Sequence, residues 1–250
     1  MKRIIVRADD LGFSEGVNYG IEKACRQGII KSVGIMPNME AAKHGYDLIK
    51  DLDLCLGQHT NICSGKPITN PKLIPSLCDE DGNFKSINFY REKFKEGIDV
   101  VNLDEVIMEI EAQYEAFKKL TGKDPSYFEA HAVPSNNLFK GLEIVALRHN
   151  LKYLPMSAPV LFKGYKMICP IDFMKPDYDP YKTLKENVLK EYKDDEIMMM
   201  VCHPGYLDQY ILDNANLTMK RPLEVKMLTD NSIKEFLKEN NIEVISYDEL

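Results

Sequence analysis

Five residues carry the chemistry this sequence is equipped for: Asp9, Asp10, His59, His131 and His203. Each follows a short, mostly apolar run. Ile4-Ile5-Val6-Arg7-Ala8 leads into Asp9-Asp10-Leu11-Gly12, and Leu54-Cys55-Leu56-Gly57-Gln58 leads into His59. Tyr127-Phe128-Glu129-Ala130 leads into His131, and Met198-Met199-Met200-Val201-Cys202 leads into His203-Pro204-Gly205. Adjacent carboxylates at the end of a buried strand are costly unless paired or bound to a cation. Two imidazoles and a carboxylate make a facial divalent-metal site with positions left for water and substrate. A bound ion lowers the pKa of water and polarises a carbonyl. The remaining carboxylate can accept the water proton, and His203, on another strand, can protonate a leaving group. That set suits metal-assisted hydrolysis of an amide or ester. Arg7 shares strand parity with Asp9, so an ion pair between them is expected.

Strands must hold these residues at one end. Apolar runs predict strands near residues 5, 33, 57, 128, 153, 199 and 244, with helical patterns between most of them. Such alternation means parallel strands joined by helical crossovers. The expected fold is an α/β, distorted (β/α) barrel of about seven parallel strands, with residues 1–250 as a single domain. All five residues then lie at C-terminal strand ends, the face where barrel active sites form. Ser14 is placed to cap a helix carrying Val17, Ile21, Ala24 and Cys25, and Gly28 to stop it. Leu103 to Leu120 reads as the clearest helix, from Ile107, Ile110, Tyr114 and Phe117. Residues 61–88 read as irregular, a lid or substrate wall. His44, on a predicted helix, and His149, at a helix end, read as structural or solvated.

Composition removes other classes. The 250 residues carry a net charge of −7, which argues against a nucleic-acid partner. No apolar run approaches membrane-spanning length, and the N-terminal apolar stretch is too short for a signal peptide. None of the six cysteines forms a C-x-x-C pair, so a cysteine zinc cluster is not expected. A cytoplasmic protein with reduced thiols is the expectation.

Ala8-Asp9-Asp10-Leu11-Gly12-Phe13-Ser14, with Gly16-Val17-Asn18 just after, resembles the opening motif of the YdjC-like carbohydrate deacetylases, a family best known for chitooligosaccharide deacetylase. Gly57-Gln58-His59-Thr60-Asn61 resembles its second motif, and Cys202-His203-Pro204-Gly205-Tyr206 its late one. Arg221, Glu224 and Leu228-Thr229-Asp230 also fit, so the resemblance covers essentially the whole chain. It implies a barrel related to polysaccharide deacetylases and removal of acetyl from an N-acetylated mono- or oligosaccharide. It implies one divalent metal ion, magnesium first and zinc as the other candidate. By motif matching, Asp10, His59 and His131 would hold the ion, Asp9 would be the general base and His203 the general acid. Some members are dimers, so a homodimer is a further expectation.

The sequence departs from the family in two places. The third motif, in outline Asp-x-His-x-His-x-His, here has Glu129, His131, Val133 and Ser135. Arg7 stands where relatives usually carry Asn. Two other readings therefore stay open: a non-catalytic sugar-binding relative, and a metal-dependent sugar-phosphate hydrolase on the same barrel. Tyr165, Tyr178, Tyr181, Tyr206 and Phe84 are candidates for stacking on sugar rings.

Overall fold

The computed structural model describes residues 2–156 and 160–250. Its elements run β1 (Lys2–Leu11), α1 (Glu15–Gln27), β2 (Ser32–Ile35), α2 (Ala42–Ile49), β3 (Cys55–Thr60), α3 (Ile87–Lys95), α4 (Leu103–Thr121), β4 (Phe128–Ala130), α5 (Asn136–Arg148), β5 (Val160–Phe162), β6 (Tyr165–Ile168), α6 (Pro180–Val188), β7 (Glu196–Cys202), α7 (Gln209–Asn214), α8 (Lys220–Thr229), α9 (Asn231–Glu239) and β8 (Ile242–Ile245). The strands form one curled sheet in the order β4-β3-β2-β1-β7-β6-β5, with β8 added to β1. β7 follows one edge of β1 from Ile4 to Ala8. The other edge is shared: β8 takes Lys2 to Ile5, and β2 takes Arg7 to Leu11.

The period-two alternation of the strands sorts side chains into an outer and an inner layer. Ile4, Val6, Ala8, Val33, Leu56, Met198 and Met200 face outward and join Val17, Ile21 and Ala24 of α1 in one buried cluster. Ile5, Cys55, Tyr127, Ile197, Met199 and Ile245 face inward. Phe162 of β5 and Tyr247 join them, with the Tyr247 ring 4.3 Å from Tyr127 and 5.1 Å from Phe162. Residues near the two ends of the sheet thus meet on one tyrosine, closing the curl into a half-barrel. Each fully buried aliphatic or aromatic side chain here stabilises the fold by roughly 1.5–3 kcal/mol.

The expected strand near 153 shrinks to a bridge between Tyr153 and Phe128. Leu154 N–H still reaches Phe128 O, but Pro155 has no N–H with which to continue the ladder. At the opposite end of the sheet, beside β7, stands a β5–β6 hairpin, antiparallel where the sequence predicted only parallel strands. Helix α1 begins at the expected cap, where Ser14 accepts the Val17 N–H, and ends at Gly28. The irregular segment is a fixed wall rather than a loose lid. Glu105, Glu109 and Gln113 lie at i, i+4 and i+8 on α4. Glu105 accepts the Ser76 N–H, Glu109 accepts those of Ile68 and Thr69, and Gln113 bonds the Asn61 backbone in both directions. Its far end becomes helical as α3.

Candidate active site

The parallel β3–β4 register sets His59 opposite Glu129 and Thr60 opposite Ala130. Tyr127, Glu129 and His131 then share the inner face, as alternate residues must. His131 stands just past the strand, anchored by its N–H to Thr60 O at 2.8 Å. A tight turn through Ala132, at φ 55°, returns the Val133 N–H to His131 O.

The two aspartates pose a geometric problem, since neighbours on a strand should face opposite ways. A register shift between Ala8 and Leu11 resolves it. Asp10 takes a left-handed φ of 76°, and its carboxylate joins that of Asp9 on the inner side. Gly34 of β2 lies beneath Asp9 and Glu129. A β-carbon there would stand 2.8 Å from Glu129 Oε1 and 3.1 Å from Asp9 Oδ1.

Asp10 Oδ1 lies 3.0 Å from His59 Nε2 and 3.1 Å from His131 Nδ1, and those two nitrogens are 2.9 Å apart. His59 Nδ1 donates to Glu129 Oε1, so the lone pair of a neutral His59 points from Nε2 at the other two atoms. Three electron-rich atoms this close need a shared cation or extra protons. A divalent ion with bonds of about 2.1 Å at right angles needs donors about 3 Å apart, and the triangle fits it. Without an ion, protons fill the gap: burial alone would lower His131, but the Asp10 carboxylate raises it to about 9. Burial would likewise raise Asp10, yet the Arg221 guanidinium and His131 hold it well below the usual carboxylate range.

A second network sits inside the first. Arg7 Nη2 donates to Asp9 Oδ2 at 2.6 Å and to Glu129 Oε2 at 3.3 Å, and Nη1 donates to Tyr247 at 3.1 Å. The expected Arg7–Asp9 pair is present. Burial would raise the Glu129 carboxyl, but Arg7 and His59 outweigh it and lower it. Asp9 Oδ1 has no hydrogen-bond partner among the described residues. On the far side, buried Arg221 holds Asp10 Oδ2 at 2.7 Å. The roles of Glu129 and Arg221 as holders of the site were missed in the sequence. Strand parity from Tyr127 was the available signal for Glu129.

His203 enters the same cleft from the end of β7. Its loop packs on α1 so closely that a β-carbon on Gly20 would stand 2.4 Å from Gly205 Cα. Glu224 of α8 accepts both the His203 backbone N–H and the Tyr178 hydroxyl. The His203 ring lies 4.9 Å from that of Phe173, and burial pushes its imidazolium down to about 4.

Asp10, His131, His203, Arg221, Phe13, Phe173 and the wall residues Cys63 and Ser64 are among the residues lining a cleft of about 300 Å³. Its aromatic walls are Phe13 and Phe173, not the aromatics the sequence suggested. Phe84 is buried in the cluster beside α4, Tyr178 is tied to Glu224, Tyr181 bonds Asp230, Tyr165 bonds Arg3 and Tyr206 stands exposed. Val133 is buried in that cluster too, and Ser135 caps α5, so neither residue that replaces a motif histidine lines the cleft. His149 pairs with Glu111, and His44 bonds Asn18 away from the five-residue set. No helix among the described residues is long and apolar enough to cross a membrane.

Known proteins resemble this chain over nearly its whole length. The chain is 32% identical over 257 residues to a protein named carbohydrate deacetylase 2 from Listeria innocua serovar 6a, covering 99% of this chain and 98% of that one. A crystal structure of a putative cellobiose-phosphate cleavage protein from Enterococcus faecalis V583 is 25% identical and superposes with a TM-score of 0.81, over 99% and 98% of the two chains. A family 4 acetyl xylan esterase from Clostridium thermocellum, solved with a cobalt ion, shares the fold at 12% identity and a TM-score of 0.54, over 99% of this chain and 89% of that one. The family model described as YdjC-like protein matches residues 3–239, and the chain belongs to that family.

Proposed function

We propose that this chain is a metal-dependent carbohydrate deacetylase that hydrolyses the acetamide of an N-acetylated mono- or oligosaccharide. The observation that carries the reading is the Asp10–His59–His131 triangle at the cleft, with the unpartnered Asp9 Oδ1 in the adjoining cluster. Asp10, His59 and His131 would hold one divalent ion, magnesium first and zinc second. When bound, it polarises the acetyl carbonyl and makes water more acidic.

The chain's own residues supply the remaining steps. Asp9, fixed through Oδ2 by Arg7, takes a proton from water on Oδ1 as the water oxygen attacks the acetyl carbon. His203, neutral at rest, takes up the proton collected on Asp9 and, as the imidazolium, hands it to the sugar nitrogen as the C–N bond breaks. Acetate and a free amino sugar leave. Arg221 keeps Asp10 ionised and oriented, and Phe13 and Phe173 limit the water around the reacting bond. In this reading residues 1–250 act as one catalytic domain in the cytoplasm.

The sugar-phosphate alternative needs free cations in the cleft. Arg7 and Arg221 are held by carboxylates and Lys220 donates to two backbone carbonyls, so Arg91, which also lines the cleft and has no ion pair among the described residues, is the cation left for that reading. Acetate release from N-acetylglucosamine mono- and oligosaccharides, with chelator and metal add-back, tests the proposal. Release that stops on chelation, returns with metal and is abolished in His59→Ala supports it. Full activity after exhaustive metal removal, or sugar binding without acetate release across the panel, overturns it.

A further inference from the structure

Asp9, His59 and Glu129 form a second donor triad, with one donor atom from each within 4.8 Å of the others. It shares His59 with the outer triad through the opposite ring nitrogen, Nδ1 instead of Nε2. Two donor clusters that meet on one side chain can hold two cations, one on each side of the His59 ring. Here the inner cluster is already filled: Arg7 Nη2 lies 2.6 Å from Asp9 Oδ2 and 3.3 Å from Glu129 Oε2.

We propose that Arg7 stands in for a second metal ion: its guanidinium is the resident cation of the inner cluster and holds the centre to one exchangeable ion. The inference rests on the outer triad being the metal site. Arg7 is buried, reaches the cluster from the floor of the barrel, and is fixed by Tyr247 with the Tyr127 ring alongside. Arg221 neutralises Asp10 separately, so without Arg7 the buried Asp9 and Glu129 would face each other with no cation between them. A guanidinium suits the position because it stays charged at every working pH and cannot diffuse away. It also engages only one oxygen of Asp9. A metal ion there would draw on the lone pairs that Asp9 Oδ1 needs as a base. Arg7 is thus a positioning residue: it fixes the base and, through Glu129, the ring plane of His59.

The test is manganese stoichiometry, by equilibrium dialysis and electron paramagnetic resonance, on the full chain, Arg7→Ala, Arg7→Gln, Arg7→Lys and the double variant Arg7→Ala/Glu129→Gln. The wild type and Arg7→Lys should take one Mn²⁺ per chain. Arg7→Ala and Arg7→Gln should take two, with a spin-coupled signal that the double variant loses. A neutral variant that melts early in chelator but is rescued by Mn²⁺ more than the wild type also supports the proposal. Folded neutral variants holding one ion, or variants that no Mn²⁺ concentration up to millimolar restores, overturn it. A wild type that binds no Mn²⁺ overturns the outer metal site as well, so the two failures are distinguishable.

Discussion

Glu129 stands directly across the β3–β4 ladder from His59 and accepts its Nδ1–H with one oxygen while the other reaches Arg7 at 3.3 Å. This pair orients the metal-facing nitrogen. Glu129→Gln should leave the fold intact and weaken divalent-ion binding about 10- to 100-fold. Calorimetric titration with Mn²⁺ reads this directly, and unchanged affinity would show that His59 is oriented by something else.

Asp9 and Asp10 are neighbours in sequence with different expected losses. Asp9→Asn removes the acceptor for the water proton but none of the outer triad. Acetate release should fall about 10²- to 10⁴-fold with metal affinity nearly unchanged. Asp10→Asn should lose metal binding and also stability, because Arg221 is left buried beside a neutral amide. Parallel titrations and melts of the two variants check this. Equal loss of metal in both would contradict the assignment.

Gly34 sits where a single methyl group would press on Glu129 and Asp9 together. Gly34→Ala should cost about 1–3 kcal/mol through overpacking. Because the displaced atoms are site atoms, metal affinity should fall at least about tenfold alongside it. Denaturant melts and metal titration would separate the two effects. A variant with full affinity would mean the cluster can shift freely.

Loading the ion should stabilise the chain. At about 100 times its dissociation constant, an ion that binds only the folded state adds about 2.7 kcal/mol. For a chain of this length that raises the melting temperature by about 5–10 °C. Calorimetry in chelator and in excess Mg²⁺ or Mn²⁺ measures it. His59→Ala should show no such rise.

Burial pushes Glu224 up to about 7, more than its hydrogen bonds from Tyr178 and the His203 N–H can lower it. Its folded pKa is above its unfolded one. Its stabilising contribution is therefore complete below about pH 4.5 and lost as pH rises to about 7. Glu224→Gln keeps one acceptor for His203 and offers a donor to the Tyr178 oxygen, without a titrating group. The variant should gain roughly 3 kcal/mol on the wild type between pH 4.5 and pH 8. Paired melts at each pH cancel the opposite trend of His203. Parallel curves would rule the assignment out.

Much of the site was legible in the chain because strand-end residues follow from apolar runs alone. His59, His131 and His203 needed only the end of a strand, and Ser14 only a helix start. Asp10 was harder. Its presence in the site depends on a backbone kink at φ 76°, which alternation does not predict. Glu129 was readable as a departure from a motif but not as a holder of His59, since that depends on register between strands distant in sequence. The β5–β6 hairpin was missed because Val160–Phe162 and Tyr165–Ile168 are too short to stand out as strands. The Tyr153 strand was over-read because Pro155 ends its pairing after one bridge.

β1 has a consequence for how this molecule is made. It precedes the other described strands, yet one edge is covered only by β7 and half of the other only by β8, both far along the chain. Arg221, which secures Asp10, arrives just as late. Until β7 and β8 are made this central strand has open edges, and two aspartates wait without their full set of partners. A nascent chain of this kind needs protection until β7 and β8 have emerged, and a truncation before residue 196 leaves a sticky strand rather than a smaller folded unit.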